Sequence, residues 1–254
     1  MKIGPIQKYM NRDLETKEYR FNEAKHLHQL LVDGEWKNLT GCTTVLGILA
    51  KPALIQWSAN MAVAFLETVY KTDGKISDVL FKEAKTAHRR KKEEAGAKGT
   101  DIHSEAEKVV AMAIQNDGVI QLDIKSEIPQ IQHFIDWAVK NKVKFLEVEK
   151  CMYSKKLFVG GICDILCEID NQLWMADIKT GSGIYYDAFW QMGGYEIMMN
   201  EMGYPDIVGH IVLNLKKDGT FDEKRSVSTE DAKKGFMSCL EIYRLQEKFT
   251  NQII

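Results

Sequence analysis

Two aspartates and a lysine occupy positions where the surrounding sequence is almost wholly apolar. Asp164 lies in the segment LFVGGICDILCEI, and Asp177 and Lys179 lie in the segment QLWMADIKT. Burying a carboxylate without a compensating charge costs several kcal/mol, so each aspartate needs a partner. A divalent cation bound by carboxylate oxygens would compensate this charge. Such a cation beside an ammonium group suits phosphodiester hydrolysis, because the metal activates water and both charges stabilise the transition state.

The composition of both segments is typical of β-strands. Side chains two residues apart in a strand point to the same face and lie about 6.5 Å apart, so Asp177 and Lys179 should project together. The turn residues Asp170-Asn171 between the segments predict an antiparallel pair, which brings Asp164 onto the neighbouring strand. The pair Gly160-Gly161 before Asp164 would let another group approach the backbone closely.

The hydrophobic pattern of the whole chain predicts an α/β fold: a central mixed β-sheet of about five strands flanked by helices, with a helical N-terminal region. Strands are predicted at 145–153, 157–169, 172–180, 207–215 and 221–227, and helices follow Pro129, span 184–202 and begin after Ser228, which with Asp231 is predicted to cap the last helix.

Upstream, helical spacing over residues 43–70 is broken at Pro52, and a charged helix is predicted over 79–96. Gly99 is expected to separate that helix from another, which would begin at Thr100 or Asp101 and run to about Gln115. We expect a single domain over 1–254, with a mainly helical part (1–130), an α/β core (131–228) and a C-terminal helix (229–254). The first forty residues receive no assignment.

The charge balance excludes a protein with a global positive field. The chain has 254 residues, with 34 Lys+Arg against 36 Asp+Glu, so the formal net charge is −2. Apolar stretches reach only six residues, whereas a bilayer span needs roughly 18–20. The charged N-terminus has no apolar signal-peptide region. We therefore expect a cytoplasmic protein with no membrane partner, whose five scattered cysteines are free thiols.

The spacing of the polar residues resembles that of a known family. The run GGxxD, here Gly160 to Asp164, is followed by DxKTG, here Asp177 to Gly181. Together they resemble the PD-(D/E)XK nuclease superfamily in its RecB-type and phage exonuclease branch, and the chain is also similar to the mitochondrial genome maintenance exonuclease family. Three further elements match in order: GxxxH ending at His103, a glutamate at Glu149 before the glycine pair, and QxxxY, which supplies Gln191 and Tyr195.

The resemblance implies a restriction-endonuclease-like core and assigns roles to these residues. Mg2+ or Mn2+ would be held by Asp164, Asp177 and the Ile178 carbonyl, assisted by His103, while Lys179 acts on water and the transition state. Glu107, one helical turn after His103, is either a further ligand or a hydrogen-bond partner of the histidine. Glu149, Gln191 and Tyr195 would line the catalytic pocket, although Glu149 could be a surface residue of an edge strand and Tyr195 could serve helix packing. The cysteines do not match the pattern of the iron-sulfur relatives, so we expect no cluster.

Residues that could contact DNA lie outside this motif set. The stretch 82–98 contains seven basic and three acidic residues, or 7 − 3 = +4, which fits either a phosphate-binding or a solvated helix. Thr43 and Thr44 either touch a phosphate or cap a helix, and Tyr185 could stack on an unpaired base. The DNA-binding candidates are Thr43, Thr44, Arg89, Arg90, Lys91, Lys92 and Tyr185.

The resemblance therefore predicts a metal-dependent DNA exonuclease that cuts from single- or double-stranded ends, of the kind phages use in recombination and replication. A single-strand annealing or single-strand binding protein would be a natural partner. Two rivals remain: a structure-specific or nicking endonuclease with the same site, and a non-catalytic DNA-binding module on the same fold. Polarity, strand preference and oligomeric state are left open.

Overall fold

The computed structural model describes residues 14–252, apart from the side chains of Leu14, Ala95, Ala97 and Lys98. Residues 1–13, part of the charged N-terminus for which no signal peptide is expected, lie outside this range. The described chain forms two compact units, one comprising 14–48 and 102–252 and the other comprising Leu49–Asp101.

The first unit contains two β-sheets. The first forty residues, unassigned from sequence, contribute a four-stranded antiparallel sheet in chain order: β1 (Leu14–Glu15), β2 (Tyr19–Asn22), β3 (Leu27–Val32) and β4 (Glu35–Asn38). Its buried side chains Tyr19, Phe21 and Leu30 pack with Cys151 of the central sheet. The predicted helical N-terminal region is therefore preceded by strands.

The central sheet is mixed and has six strands. They are β5 (Thr40–Gly41), β6 (Lys144–Ser154), β7 (Val159–Ile169), β8 (Gln172–Lys179), β9 (Gly209–Leu215) and β10 (Phe221–Ser226). The order is β10-β9-β8-β7-β5, and β6 pairs with β7. The pairs β8–β9 and β5–β7 are parallel and the others are antiparallel. The predicted α/β fold with a mixed sheet flanked by helices is confirmed, and the sixth strand is the two-residue β5.

Helices cover both faces of this sheet. Residues 102–114 of helix α4 (Ala87–Ile114) and helix α5 (Pro129–Lys140) pack on one face, where Ala106, Val110 and Phe134 join a core with Ile165 and Ile211. On the other face lies α6 (Tyr186–Glu201), which is covered by α7 (Thr229–Thr250). A Cβ on Gly193 of α6 would lie 2.3 Å from the Ala232 backbone, so this glycine lets the two helices approach closely. Ser228 stands at the predicted N-cap of α7, but its side chain makes no capping hydrogen bond.

The remaining helices are α1 (Cys42–Leu46), α2 (Pro52–Asp73), α3 (Asp78–Ala84) and α4 (Ala87–Ile114). The predicted break at Pro52 is confirmed, because α2 begins there. The predicted break at Gly99 is wrong: the chain turns between α3 and α4, and α4 then continues through Gly96 and Gly99. Neither glycine has the positive φ of a helix-ending residue. Thr100 donates a hydrogen bond to the Gly96 carbonyl within the helix instead of capping a new one. Of the helices within the described residues, none has the length and apolarity that a bilayer crossing requires.

Candidate active site

The site lies at a fork between two neighbouring strands. The β7–β8 ladder ends at the pair Ile165–Ala176. Beyond this pair β8 continues beside β9 as far as Lys179, whereas β7 pairs with β5 at Val159 and Gly160. We call the end of the β7–β8 ladder, up to Asp164 and Ile178, the fork. There the Asp164 carboxylate accepts a hydrogen bond from the Ile178 backbone N–H at 2.7 Å, so a side chain joins the strands where the ladder stops.

A histidine from α4 contacts this carboxylate. His103 Nε2 lies 3.0 Å from Asp164 Oδ2, and His103 Nδ1 contacts Glu107 one turn along the helix. Burial lowers the pKa of His103, but the Asp164 and Glu107 carboxylates outweigh this effect and raise it to about 11. Burial likewise raises the pKa of Asp164, but His103 and Lys179 lower it more, and the net shift is downward. Without a metal, the histidine is therefore a cation held between two carboxylates.

Glu149 lies on β6, the strand that pairs with β7, and has an unusual backbone conformation. Val148 pairs with Ile165 and Lys150 pairs with Cys163, so the register sets Glu149 opposite Asp164. Its φ of 51° lies in the left-handed region, which costs a non-glycine residue roughly 1–3 kcal/mol and is concentrated at functional sites. A ring nitrogen of His103 and one carboxylate oxygen each of Glu107 and Glu149 are within 4.8 Å of one another, so these three residues could hold a metal ion.

On the α6 face of β8, four residues form a continuous polar chain. The Asp177 carboxylate lies 2.6 Å from the Lys179 ammonium, which donates to Gln191 Oε1 at 3.1 Å. Gln191 Nε2 in turn donates to the Tyr195 hydroxyl at 2.5 Å. The ring of Tyr195 packs against Gly161, where a Cβ would lie 2.4 Å from its Cε1. The second glycine of the pair is therefore needed for space beside Tyr195.

The charged states of this chain follow from burial. Burial raises the pKa of Asp177 to about 6, with Asp164 adding to the rise and Lys179 opposing it. Burial lowers the pKa of Lys179, but Asp177 and Asp164 outweigh it, so the net shift is upward. Burial also raises the pKa of Tyr195 well above its usual value. Lys179 is thus a stable cation, whereas Asp177 is a carboxylate that lacks sufficient positive charge around it.

The donor set fits a hard divalent cation. The active-site cluster has four carboxyl groups and two basic groups, listed as Glu107, Glu149, Asp164, Asp177, His103 and Lys179. Carboxylate oxygens are the ligands preferred by Mg2+, and an added imidazole suits Mn2+. A cation here would compensate the surplus of carboxylates and would replace the proton on His103.

The structure therefore brings together most of the predicted site residues. Asp164, Asp177, Lys179, His103 and Glu107 converge as expected. Glu149 also joins the cluster, so it is not a solvated residue of an edge strand. Gln191 contacts Lys179, and Tyr195 both packs in the core and bonds Gln191. Ile178 takes part through its backbone N–H, which donates to Asp164. Metal binding by its carbonyl oxygen stays a prediction.

The predicted DNA contacts are divided between the two units. Four are exposed basic residues of the second unit, namely Arg89, Arg90, Lys91 and Lys92. Arg90 lies over the Phe65 ring at 5.1 Å, and Lys91 forms an ion pair with Glu94. Thr43 and Thr44 are exposed in the first turn of α1 but do not cap it, because the N-cap is Gly41. Tyr185, 60% exposed, immediately precedes α6.

Two residues near Lys179 were missed from the sequence. Asp187, in the first turn of α6, adds to the upward shift of the Lys179 pKa. Asn214 on β9 is fully buried and in register with Lys179. A polar residue inside the apolar run GHIVLNL is the same signal that identified Asp164, so Asn214 could have been found.

Comparison with known proteins adds little to this geometry. No family model matches the chain, and no curated protein matches it. A solved structure titled "Crystal structure of SSO0001" is similar over 54% of this chain and 69% of its own, at 13% identity and a TM-score of 0.26. That similarity carries no argument about function.

Proposed function

We propose that this chain is a metal-dependent DNA nuclease of the PD-(D/E)XK type that hydrolyses phosphodiester bonds from DNA ends. The observation that carries the proposal is the convergence of Asp164, Asp177 and Lys179 with His103 at one fork of the sheet. A surplus of buried carboxylates beside a fixed ammonium group matches the needs of a reaction in which an anionic phosphate gains charge.

Mg2+ or Mn2+ would be held by Asp164, Asp177 and His103, with Glu107 and Glu149 beside them. When bound, the metal would activate water and neutralise phosphate charge. The Lys179 ammonium, fixed between Asp177 and Gln191, stabilises the negative charge that develops on the phosphate. Its raised pKa keeps it protonated at neutral pH, so it acts as a hydrogen-bond donor and not as the base that deprotonates water.

The binding of DNA would be local and sensitive to salt. The net charge of −2 provides no long-range attraction, so the phosphates must be held by the site cation and by exposed basic residues such as Arg89 and Lys92. A single-strand annealing or binding protein would act on the strand that such an enzyme exposes.

Digestion of end-labelled single- and double-stranded oligonucleotides tests the proposal. We expect cleavage with Mg2+ or Mn2+, none with chelator, and a large loss that leaves only a small residual rate in Asp177→Asn and Lys179→Ala. Exposed residues on β10 provide matched controls, Asp222→Asn and Lys224→Ala, which should cut like the wild type. Cleavage at an undiminished rate in both site variants would contradict the assignment.

A second substrate distinguishes the rivals. Covalently closed circular DNA should resist an exonuclease, because it has no ends, while the linearised form is degraded. Cutting of closed circles would indicate an endonuclease with the same site. DNA binding without cleavage under every metal condition would indicate a non-catalytic module.

A further inference from the structure

Strand β9 carries two kinds of side chain on its two faces. Ile211, Leu213 and Leu215 belong to the apolar core beneath α4 and α5. The alternate residues His210, Val212 and Asn214 must therefore face α6. The contact of His210 Nε2 with Glu196 of α6, at 3.0 Å, agrees with this orientation. Asn214 thus points into the layer between the sheet and α6.

Asn214 is the anomaly of this strand. Its side chain is 0% exposed, and among residues 14–252 neither its Oδ1 nor its Nδ2 has a hydrogen-bond partner. Buried amide groups are nearly always hydrogen-bonded, to protein or to an enclosed water, because desolvating them is unfavourable. An apolar residue would fill this position without that cost, so the presence of an amide here suggests that it has a polar partner.

A candidate for this polar partner lies on the neighbouring strand β8. Lys179 pairs with Asn214 in the parallel β8–β9 register, and adjacent strands lie about 4.8 Å apart with paired side chains on the same face. The Lys179 ammonium has three N–H donors. Gln191 accepts one of them, and Asp177 forms an ion pair with the ammonium at 2.6 Å. The ammonium therefore has a further donor to offer, and its residue is in register with the buried amide.

We propose that Asn214 is a positioning residue for Lys179, acting through one enclosed water that accepts an ammonium N–H not used by Gln191 and donates to Asn214 Oδ1. The effect of Asn214 on catalysis rests on the proposed nuclease function, but its water-mediated contact with Lys179 does not. Three fixed partners hold the ammonium in one place, whereas two leave it free to rotate away from the phosphate.

The first test is a double-mutant cycle on cleavage. Asn214→Leu removes both unpaired polar atoms and keeps the volume similar, so the melting temperature should stay level or rise. Cleavage under saturating DNA should fall about tenfold, the effect of one hydrogen bond to a charged group, with KM unchanged. In the Lys179→Ala background the same substitution should have no effect. An equal loss in both backgrounds would overturn the proposal. Leu213→Ile, on the opposite face, controls for a change in the strand and should leave kcat unaltered.

The second test needs no activity. Lysine acetylation by acetic anhydride, followed by mass spectrometry in metal-free protein, should label Lys179 several-fold faster in Asn214→Leu than in the wild type. Lys233, a partly buried lysine held by Glu196 and Glu230, should label equally in both. An unchanged Lys179 rate would overturn the proposal. If the wild type does not cut DNA but Lys179 labels faster, the nuclease function fails while the positioning contact stands.

Discussion

Two clusters of charge within residues 14–252 are largely buried, and they are built differently. The active-site cluster has four carboxyl groups against two bases. The second cluster, which we call the scaffold cluster, consists of Glu196, His210 and Lys233: Glu196 lies 3.0 Å from His210 Nε2 and 3.1 Å from Lys233 Nζ. It joins α6, β9 and α7. The scaffold cluster has one carboxylate for two bases, so the protein itself supplies all the charge that the carboxylate needs.

The pKa values of one carboxylate from each cluster reflect this difference in local charge balance. Burial raises the pKa of Glu196, but His210 and Lys233 reverse the effect and lower it. Burial raises the pKa of Asp177 to about 6, and its neighbours do not reverse the effect. Both carboxylates are almost completely buried. Burial therefore does not distinguish a binding site from a structural ion pair, whereas the local charge balance does.

The largest expected effect is that of Asp164→Asn. Cleavage should fall by roughly a thousandfold or more, because a proposed metal ligand loses its charge. The melting temperature should change little, since the amide oxygen can still accept the Ile178 N–H. Initial rates and thermal unfolding measure the two quantities. Asp222→Asn on exposed β10 is the control, and a loss of less than tenfold in Asp164→Asn would argue against a catalytic cluster.

Glu196→Gln should show the opposite pattern. Removing the one buried carboxylate weakens the hydrogen bond of the fully buried His210 and leaves Lys233 with only its exposed partner, which should lower the free energy of unfolding by about 1–3 kcal/mol. Cleavage per folded molecule should be unchanged. Urea unfolding measures the first and a rate normalised to folded protein the second. Glu230→Gln removes the exposed partner of the same lysine and should cost under about 0.5 kcal/mol. Equal losses in the two variants would contradict the distinction.

Substitutions at the adjacent glycines Gly160 and Gly161 of β7 should separate an effect on stability from an effect on catalysis. A Cβ at position 161 would press on Tyr195 and so disturb Gln191 and Lys179, while a Cβ at position 160 would lie 2.7 Å from His28 Cβ in the N-terminal sheet. Both Gly161→Ala and Gly160→Ala should lower the free energy of unfolding by about 1–3 kcal/mol. Only Gly161→Ala should also lower kcat, by about tenfold. Equal kcat values in the two variants would show that the Tyr195 chain does not position Lys179.

The smallest effect is a pH dependence of stability. Because the folded pKa of Glu196 is lowered below its usual 4.5, its stabilising effect is fully present above that pH and is lost as the pH falls through the folded value. The stability difference between wild type and Glu196→Gln should therefore shrink below about pH 4.5. Urea unfolding of metal-free protein at pH 7, 5, 4 and 3 measures it. A difference that stays constant over this range would show that the pair does not depend on the charge of Glu196.

Sequence patterns predicted the central sheet and most of the active-site cluster for the same reason. Strands β7 and β8 are strongly apolar, so the few charged residues within them mark positions where function outweighs burial. Asn214 carries this signal more weakly because it is neutral. The short strands β1 to β4 mix polar and apolar residues and are stabilised by packing on Cys151 and its neighbours, which local sequence does not reveal.

Two local features could not be predicted from the sequence. The helix α4 continues through Gly99 because one glycine costs a long helix only about 1 kcal/mol, which tertiary packing of its later turns can outweigh. The left-handed region favours glycine, asparagine and aspartate, so a glutamate within residues 145–153 gives no indication of the conformation that Glu149 adopts.

The hydrogen bond from the Ile178 N–H to Asp164 has a consequence for how this protein could change. The same carboxylate fastens one strand to the next and faces the imidazole of a helix. A replacement that abolishes the acceptor, such as alanine, would therefore loosen the sheet at its open end as well as remove a charge. At this position an inactive descendant of the protein would be expected to retain an amide or hydroxyl side chain, since architecture alone would still demand one.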